Sequence, residues 1–202
     1  MTRAPSVKSA EQDEVYVSTD VETDGPLPGV NSMVSLASAA FAADGALIAT
    51  FSRNLETIPG GVADPRTMAF WAGEPMAWAA ATQAPRPPAE VMAEYATWLR
   101  GLGEPLVFVG LPAVFDFGFV NHYLLRYLGT NPFGRNAVDI RSFAMGVLGA
   151  SWQRTRFRYM PEEWVTGWVH DHTALGDALA QGRLFMRVRA AAGVLGGGCH
   201  DG

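Results

Sequence analysis

Asp20 and Glu22 stand two residues apart in the segment Ser18-Thr-Asp20-Val-Glu22-Thr-Asp-Gly25. In extended chain, alternate residues project from one face, so the two carboxylates point together while Val21 turns the other way. Adjacent acids repel each other, and burying them at a strand end calls for a cation. A divalent metal site accounts for the pair; taken alone, so does a solvated strand end. A third acid lies in Phe115-Asp116-Phe117, where a helix begins. Asp116 precedes Phe119, Val120 and Tyr123 by three, four and seven residues, along an apolar stripe that should face the core. A bare carboxylate there is expensive, unless it is a first-turn acid favoured by the helix dipole. The third group is His170-Asp-His172-Thr-Ala-Leu-Gly-Asp177, at the start of the last strong helical pattern. If Asp171 or Thr173 caps that helix, His172 sits at its mouth and Asp177 in an early turn. An imidazole and a carboxylate then approach one point, which is what a general base and a metal ligand require. The His-x-His pair also suggests zinc, but the other histidines, His122 and His200, do not partner it at zinc-site spacing.

The elements that must position these groups are legible in the periodicity. Val15 to Asp20, Ser32 to Phe41 and Leu47 to Arg53 read as three strands in a meander, with a turn at Ala43-Asp-Gly45. Pro59 to Gln83 reads as short helices and loops, and Pro88 to Arg100 as an amphipathic helix ending at Gly101. Leu106 to Gly110 is a short buried strand feeding a helix over Ala113 to Leu128. A short strand at Ala137 to Ile140, a helix at Arg141 to Leu148 and a final helix at Thr173 to Arg189 complete the pattern. A meander followed by strand–helix units predicts an α/β fold with a central mixed sheet flanked by helices.

The chain has 202 residues, of which 49% are hydrophobic and 17% charged, enough for one compact core. Residues 14–190 are expected to form that domain, between a flexible N-terminus at 1–13 and a flexible tail at 191–202. A single cysteine, Cys199, excludes an internal disulfide, and no apolar N-terminal run suits a signal peptide, so a cytoplasmic protein is expected. No apolar run is long enough to span a membrane. A net charge of −5 excludes a protein that coats nucleic acid through a broad basic surface. It does not exclude an enzyme that grips a strand end through bound cations.

Asp-Val-Glu-Thr at a strand end, Phe-Asp opening a helix after a buried strand, and His-x-x-x-x-Asp opening a late helix resemble, in this order, the three motifs of the DnaQ-like, DEDDh 3′→5′ exonuclease family. That family includes polymerase proofreading subunits, RNase T and oligoribonuclease. The resemblance runs from Val15 to about Leu184. It implies a ribonuclease H-like fold. It also implies an enzyme that hydrolyses phosphodiester bonds of DNA or RNA from the 3′ end and releases nucleoside 5′-monophosphates. Asp20, Glu22, Asp116 and Asp177 would hold two divalent ions, Mg²⁺ or Mn²⁺, and His172, five residues before Asp177, would be the general base. Thr23, Asp24 and Leu27 occupy the segment that approaches the terminal nucleotide in relatives. Two positions depart from the pattern: Leu111-Pro112 stands where relatives often carry His-Asn, and Gly176 where an acid is common.

Substrate contacts are less constrained by sequence. Trp71, Trp78, Trp152, Trp164 and Trp168 offer either stacking surfaces for bases or core packing. Arg154, Arg156 and Arg158 offer either phosphate contacts or a solvated face. An oligoribonuclease-like phosphodiesterase acting on short oligonucleotides is the alternative enzyme, and a catalytically silent nucleic-acid-binding module the alternative outside enzymes. A nucleic-acid 3′ end is the expected partner, and a homodimer is compatible with the sequence.

Overall fold

A computed structural model describes residues 14–168 and 173–197. The expected flexible N-terminus, the end of the tail and the histidine pair His170 and His172 lie outside the described residues. Five strands form one sheet in the order β3-β2-β1-β4-β5. The strands are β1 (Val15–Thr23), β2 (Met33–Phe41), β3 (Leu47–Asn54), β4 (Leu106–Gly110) and β5 (Val138–Asp139). β1, β2 and β3 pair antiparallel as the predicted meander, while β1 with β4 and β4 with β5 are parallel. The helices are α1 (Pro65–Gly73), α2 (Pro75–Ala81), α3 (Pro88–Gly101), α4 (Ala113–Leu128), α5 (Ile140–Leu148), α6 (Glu162–Val165) and α7 (Ala174–Gly197). No described helix is long and apolar enough to cross a membrane.

Alternation along β1 sorts its side chains between two cores. Val15, Val17 and Val21 join Val91, Tyr95 and Leu99 of α3 and Phe119, Val120 and Tyr123 of α4 on one face. Tyr16 joins Ile140 and Ala144 of α5 and Leu184, Phe185 and Val188 of α7 on the other. Asp20 and Glu22, in phase with Tyr16, therefore project toward α7. The opposite phase carries Thr19, whose hydroxyl meets Ser38 Oγ at 2.8 Å, which in turn meets the Tyr95 hydroxyl at 2.8 Å. This buried polar chain ties β1 and β2 to α3, and the Met33 N–H donates to the Tyr123 hydroxyl at 2.8 Å, tying β2 to α4.

Two close approaches require glycine. A Cβ on Gly110, where β4 turns into α4, would lie 2.8 Å from Ala113 Cα and 3.3 Å from Asp116 Oδ2. A Cβ on Gly182 would lie 2.2 Å from the Phe41 ring, so glycine lets α7 rest directly on β2. Thr173 caps α7: its hydroxyl accepts from Gly176 N at 3.1 Å and its carbonyl from Asp177 N at 2.9 Å. The helix continues to Gly197, eight residues past the predicted end at Arg189. Ala190, Ala191 and Ala192 favour helix and no proline stops it. Between α5 and α7, the sequence pattern gave no element, because the turns at Trp152–Thr155 and Phe157–Tyr159 and the single-turn α6 are too short to show a period.

Candidate active site

The parallel pairing of β1 with β4 stops at Ser18 and Val109. Beyond Ser18 the β4-side edge of β1 is open, and there Val21 N donates to Asp116 Oδ1 at 3.3 Å. Asp116, in the first turn of α4, is 3% exposed, so the apolar stripe does carry it inward. Asp177, in the first turn of α7, is also buried. Asp20, Glu22 and Asp177 each bring a carboxylate oxygen within 4.8 Å of the others. Three motifs far apart in sequence thus meet at the carboxyl ends of β1 and β4, where parallel strands leave a crevice for ligands.

Such a cluster is strained electrostatically. Asp20, Glu22 and Asp116 form no ion pair with a described arginine; the ion pairs among described residues join Arg53 and Arg86 to Glu90 and Glu94, away from the site. Burial pushes the Asp20 carboxyl well above the usual carboxylate range, and repulsion from Asp116, Glu22 and Asp177 adds to it, against a hydrogen bond from Gln181. Burial, then Asp177, raises Glu22 from 4.5 to about 8. Burial likewise raises Asp116, opposed by the Val21 N–H. Acids held this way are compensated by a multivalent cation, and the all-oxygen donor set suits a hard divalent ion.

A pH dependence of stability follows. Glu22 has its pKa raised on folding, so its contribution to stability is complete below about 4.5 and is lost as pH rises through about 8. In EDTA, the melting temperature of the wild type should fall across that window more steeply than that of Glu22→Gln, and saturating Mg²⁺ should remove the difference. Parallel profiles for the two proteins in EDTA would contradict the burial and crowding of this carboxylate.

Asp20 and Asp177 lie on the wall of a cleft of about 600 Å³ that is shared by Leu111, Pro112, Arg141, Arg156, Phe157, Trp168 and Gln181. Leu111-Pro112, the departure noted in the sequence, therefore lines this cleft with apolar surface. Of the arginine cluster, Arg156 reaches the cleft, whereas the Arg154 and Arg158 guanidinium groups lie over the Tyr159 ring, at 5.4 and 4.7 Å from its centroid. Arg141 is braced by Trp152, its guanidinium 4.0 Å from the ring centroid, and by hydrogen bonds to Thr155 Oγ1 and the Trp152 carbonyl, both 3.2 Å. Trp168 is the tryptophan at the cleft, against Phe157 at 4.3 Å between ring centroids. Trp71 and Trp164 are buried in packing, and Trp78 rests on Trp71.

Thr23 and Asp24 are buried beside the site. The Thr23 carbonyl accepts from Trp71 Nε1 at 2.9 Å, and the Asp24 carboxylate accepts from Ser32 N at 2.5 Å. Leu27 is 58% exposed at the tip of the same loop.

No protein-family model matches the chain. A curated relative, the 3′-5′ DNA exonuclease Cap18 of Escherichia coli, is 36% identical over 179 residues, 87% of this chain and 91% of that protein. The chain belongs to the DEDDh 3′→5′ exonuclease family. It is a hydrolytic exonuclease with the ribonuclease H-like fold of that family. The nuclease domain of 3′hExo, a DEDDh family member solved bound to rAMP, shares the fold with a TM-score of 0.63 at 14% identity, over 97% of this chain and 96% of that one. Escherichia coli exonuclease I in complex with a dT13 oligonucleotide gives a TM-score of 0.66 at 15% identity, over 91% of this chain and 43% of that one. Pop2p of S. pombe, in a Mg²⁺- and Mn²⁺-bound form, gives 0.61 at 15% identity, over 87% and 82%. The exonuclease thus carries an acidic cluster suited to divalent metal ions at the place its fold provides.

Two parts of the exonuclease's site escaped the sequence motifs. Gln181 donates from Nε2 to Asp20 Oδ1 at 2.7 Å; its signal was its place one helical turn after Asp177, on the same face. Arg141 at the cleft had no comparable signal.

Proposed function

We propose that Asp20, Glu22, Asp116 and Asp177 hold two divalent cations, Mg²⁺ or Mn²⁺, and that with His172 they remove nucleotides one at a time from the 3′ end of DNA. The supporting observation is the meeting of Asp20, Glu22 and Asp177 within 4.8 Å on a cleft at the sheet's carboxyl edge. The relative named as a DNA exonuclease favours DNA over RNA. When bound, the cations supply a low-pKa water and neutralise charge at the scissile phosphate.

The chain's own groups supply the rest. His172, five residues before Asp177, takes the proton of the attacking water, which requires a neutral imidazole near pH 7. Asp116 is oriented by the Val21 N–H, so one of its oxygens stays fixed. Leu27 meets the terminal nucleotide with an exposed apolar side chain, while Thr23 and Asp24 act by holding the loop that carries it. Arg156 and Trp168 offer the strand a guanidinium for phosphate and an aromatic face for a base.

Digestion of 5′-labelled single- and double-stranded DNA and RNA of graded length, with Mg²⁺ or Mn²⁺, tests this reading. A ladder shortening from the 3′ end on DNA, with release of nucleoside 5′-monophosphates, is expected. Activity confined to RNA of a few nucleotides would instead establish the short-oligonucleotide enzyme.

The arginine assignment has its own test. Arg156→Ala should weaken binding of single-stranded DNA and reduce the slope of log affinity against log salt by about 0.7, the value for one phosphate contact. Arg158→Ala, on the Tyr159 face, should leave that slope unchanged. Equal slopes for wild type and Arg156→Ala would remove Arg156 from the strand's path.

A further inference from the structure

Asp20 and Asp177 share their cleft wall with an uncharged side chain, Gln181, which has no part in the chemistry above. Gln181 is 3% exposed. Its Nε2 is committed to Asp20 Oδ1 at 2.7 Å. Its Oε1 is buried and without a hydrogen-bond partner among the described residues. Buried amide oxygens are almost always paired, so this orphan acceptor on a cleft wall marks a place for a donor that arrives with the cleft's contents.

The side-chain type fits that place. A lysine or arginine would neutralise the acids and compete with a cation, and a glutamate would add a further repelling charge. Glutamine adds no charge while offering one donor and one acceptor on a stem long enough to reach β1 from α7. We propose that Gln181 is a positioning residue: its N–H fixes the Asp20 carboxylate, and its Oε1 accepts a hydrogen bond from a water held in the cleft. This rests on the cation reading of the four acids. Groups that hold a metal ligand in place typically account for 10- to 100-fold in affinity, and about 10-fold or more is expected here.

The test is calorimetric titration of Mg²⁺ into the wild type and Gln181→Met, which keeps the length of the side chain and removes both hydrogen bonds. The variant should bind Mg²⁺ at least about 10-fold more weakly. Its turnover should recover as Mg²⁺ is raised, with the KM for DNA unchanged. Equal Mg²⁺ affinity in a folded Gln181→Met would overturn the positioning role while leaving the cation site intact. A wild type that binds no Mg²⁺ would overturn the cation reading itself. A measurement on the unaltered protein covers a variant that does not fold. The ¹⁵N-labelled side-chain amide of Gln181 should shift during Mg²⁺ titration and saturate together with the calorimetric binding. An amide that does not move would overturn the proposal.

Discussion

Asp20→Asn is expected to reduce hydrolysis by about 10³-fold or more, while the melting temperature measured in EDTA rises by a few degrees. Both effects have one origin. Asp20 faces Asp116, Glu22 and Asp177 at once, and burial makes its charge expensive. Asparagine removes that charge but keeps an oxygen able to accept from Gln181 Nε2, so the local structure survives. On the proposed reading, the charge that destabilises the metal-free fold is the one that would hold a cation, a trade between stability and function common at active sites. Thermal unfolding in EDTA beside hydrolysis assays in Mg²⁺ separates the two effects. Loss of both activity and stability would mean that Asp20 serves the fold. Retention of activity would remove it from the metal site.

His172→Ala is expected to lower turnover by about 10²- to 10⁴-fold, the usual contribution of a general base. Its Mg²⁺ affinity should stay near that of the wild type, because the carboxylates remain. A shape change in the pH–rate profile identifies the role. The wild-type rate should rise with pH as an imidazole base loses its proton, and the variant should lack that rise. His170→Ala serves as the control and should keep the rise. If His170→Ala loses it and His172→Ala does not, the base is the other histidine of the pair.

Two patterns translated into structure residue for residue, whereas the last helix overran its expected end. The helix expected over Ala113 to Leu128 is α4 with those bounds, and the strand at Leu106 to Gly110 is β4. The same regularity made much of the site legible. Period two put Asp20 and Glu22 on one face of β1, and the stripe of Phe119, Val120 and Tyr123 put Asp116 inside. Where the period fails, a residue's face is not legible in the sequence. The arginine cluster lies in two short turns, so no face could be assigned, and only tertiary packing separates Arg156 at the cleft from Arg154 and Arg158 on Tyr159. Gln181 was missed for a different reason. An uncharged side chain in an alanine-rich helix resembles a surface residue until β1 is laid against it. Thr23 and Asp24 show the converse: the motif marks the loop, but their hydrogen bonds to Trp71 and Ser32 can be read only from the fold.

Whether acids from three motifs form one divalent-cation site can be seen in a crystal grown with Mn²⁺ and measured at a wavelength where manganese scatters anomalously. Anomalous peaks ligated by oxygens of Asp20, Glu22, Asp116 and Asp177 are expected, and they should be lost or weakened in Asp20→Asn. Crystals of active enzyme in which these four carboxylates show no peak, or in which manganese sits elsewhere, would contradict such a site.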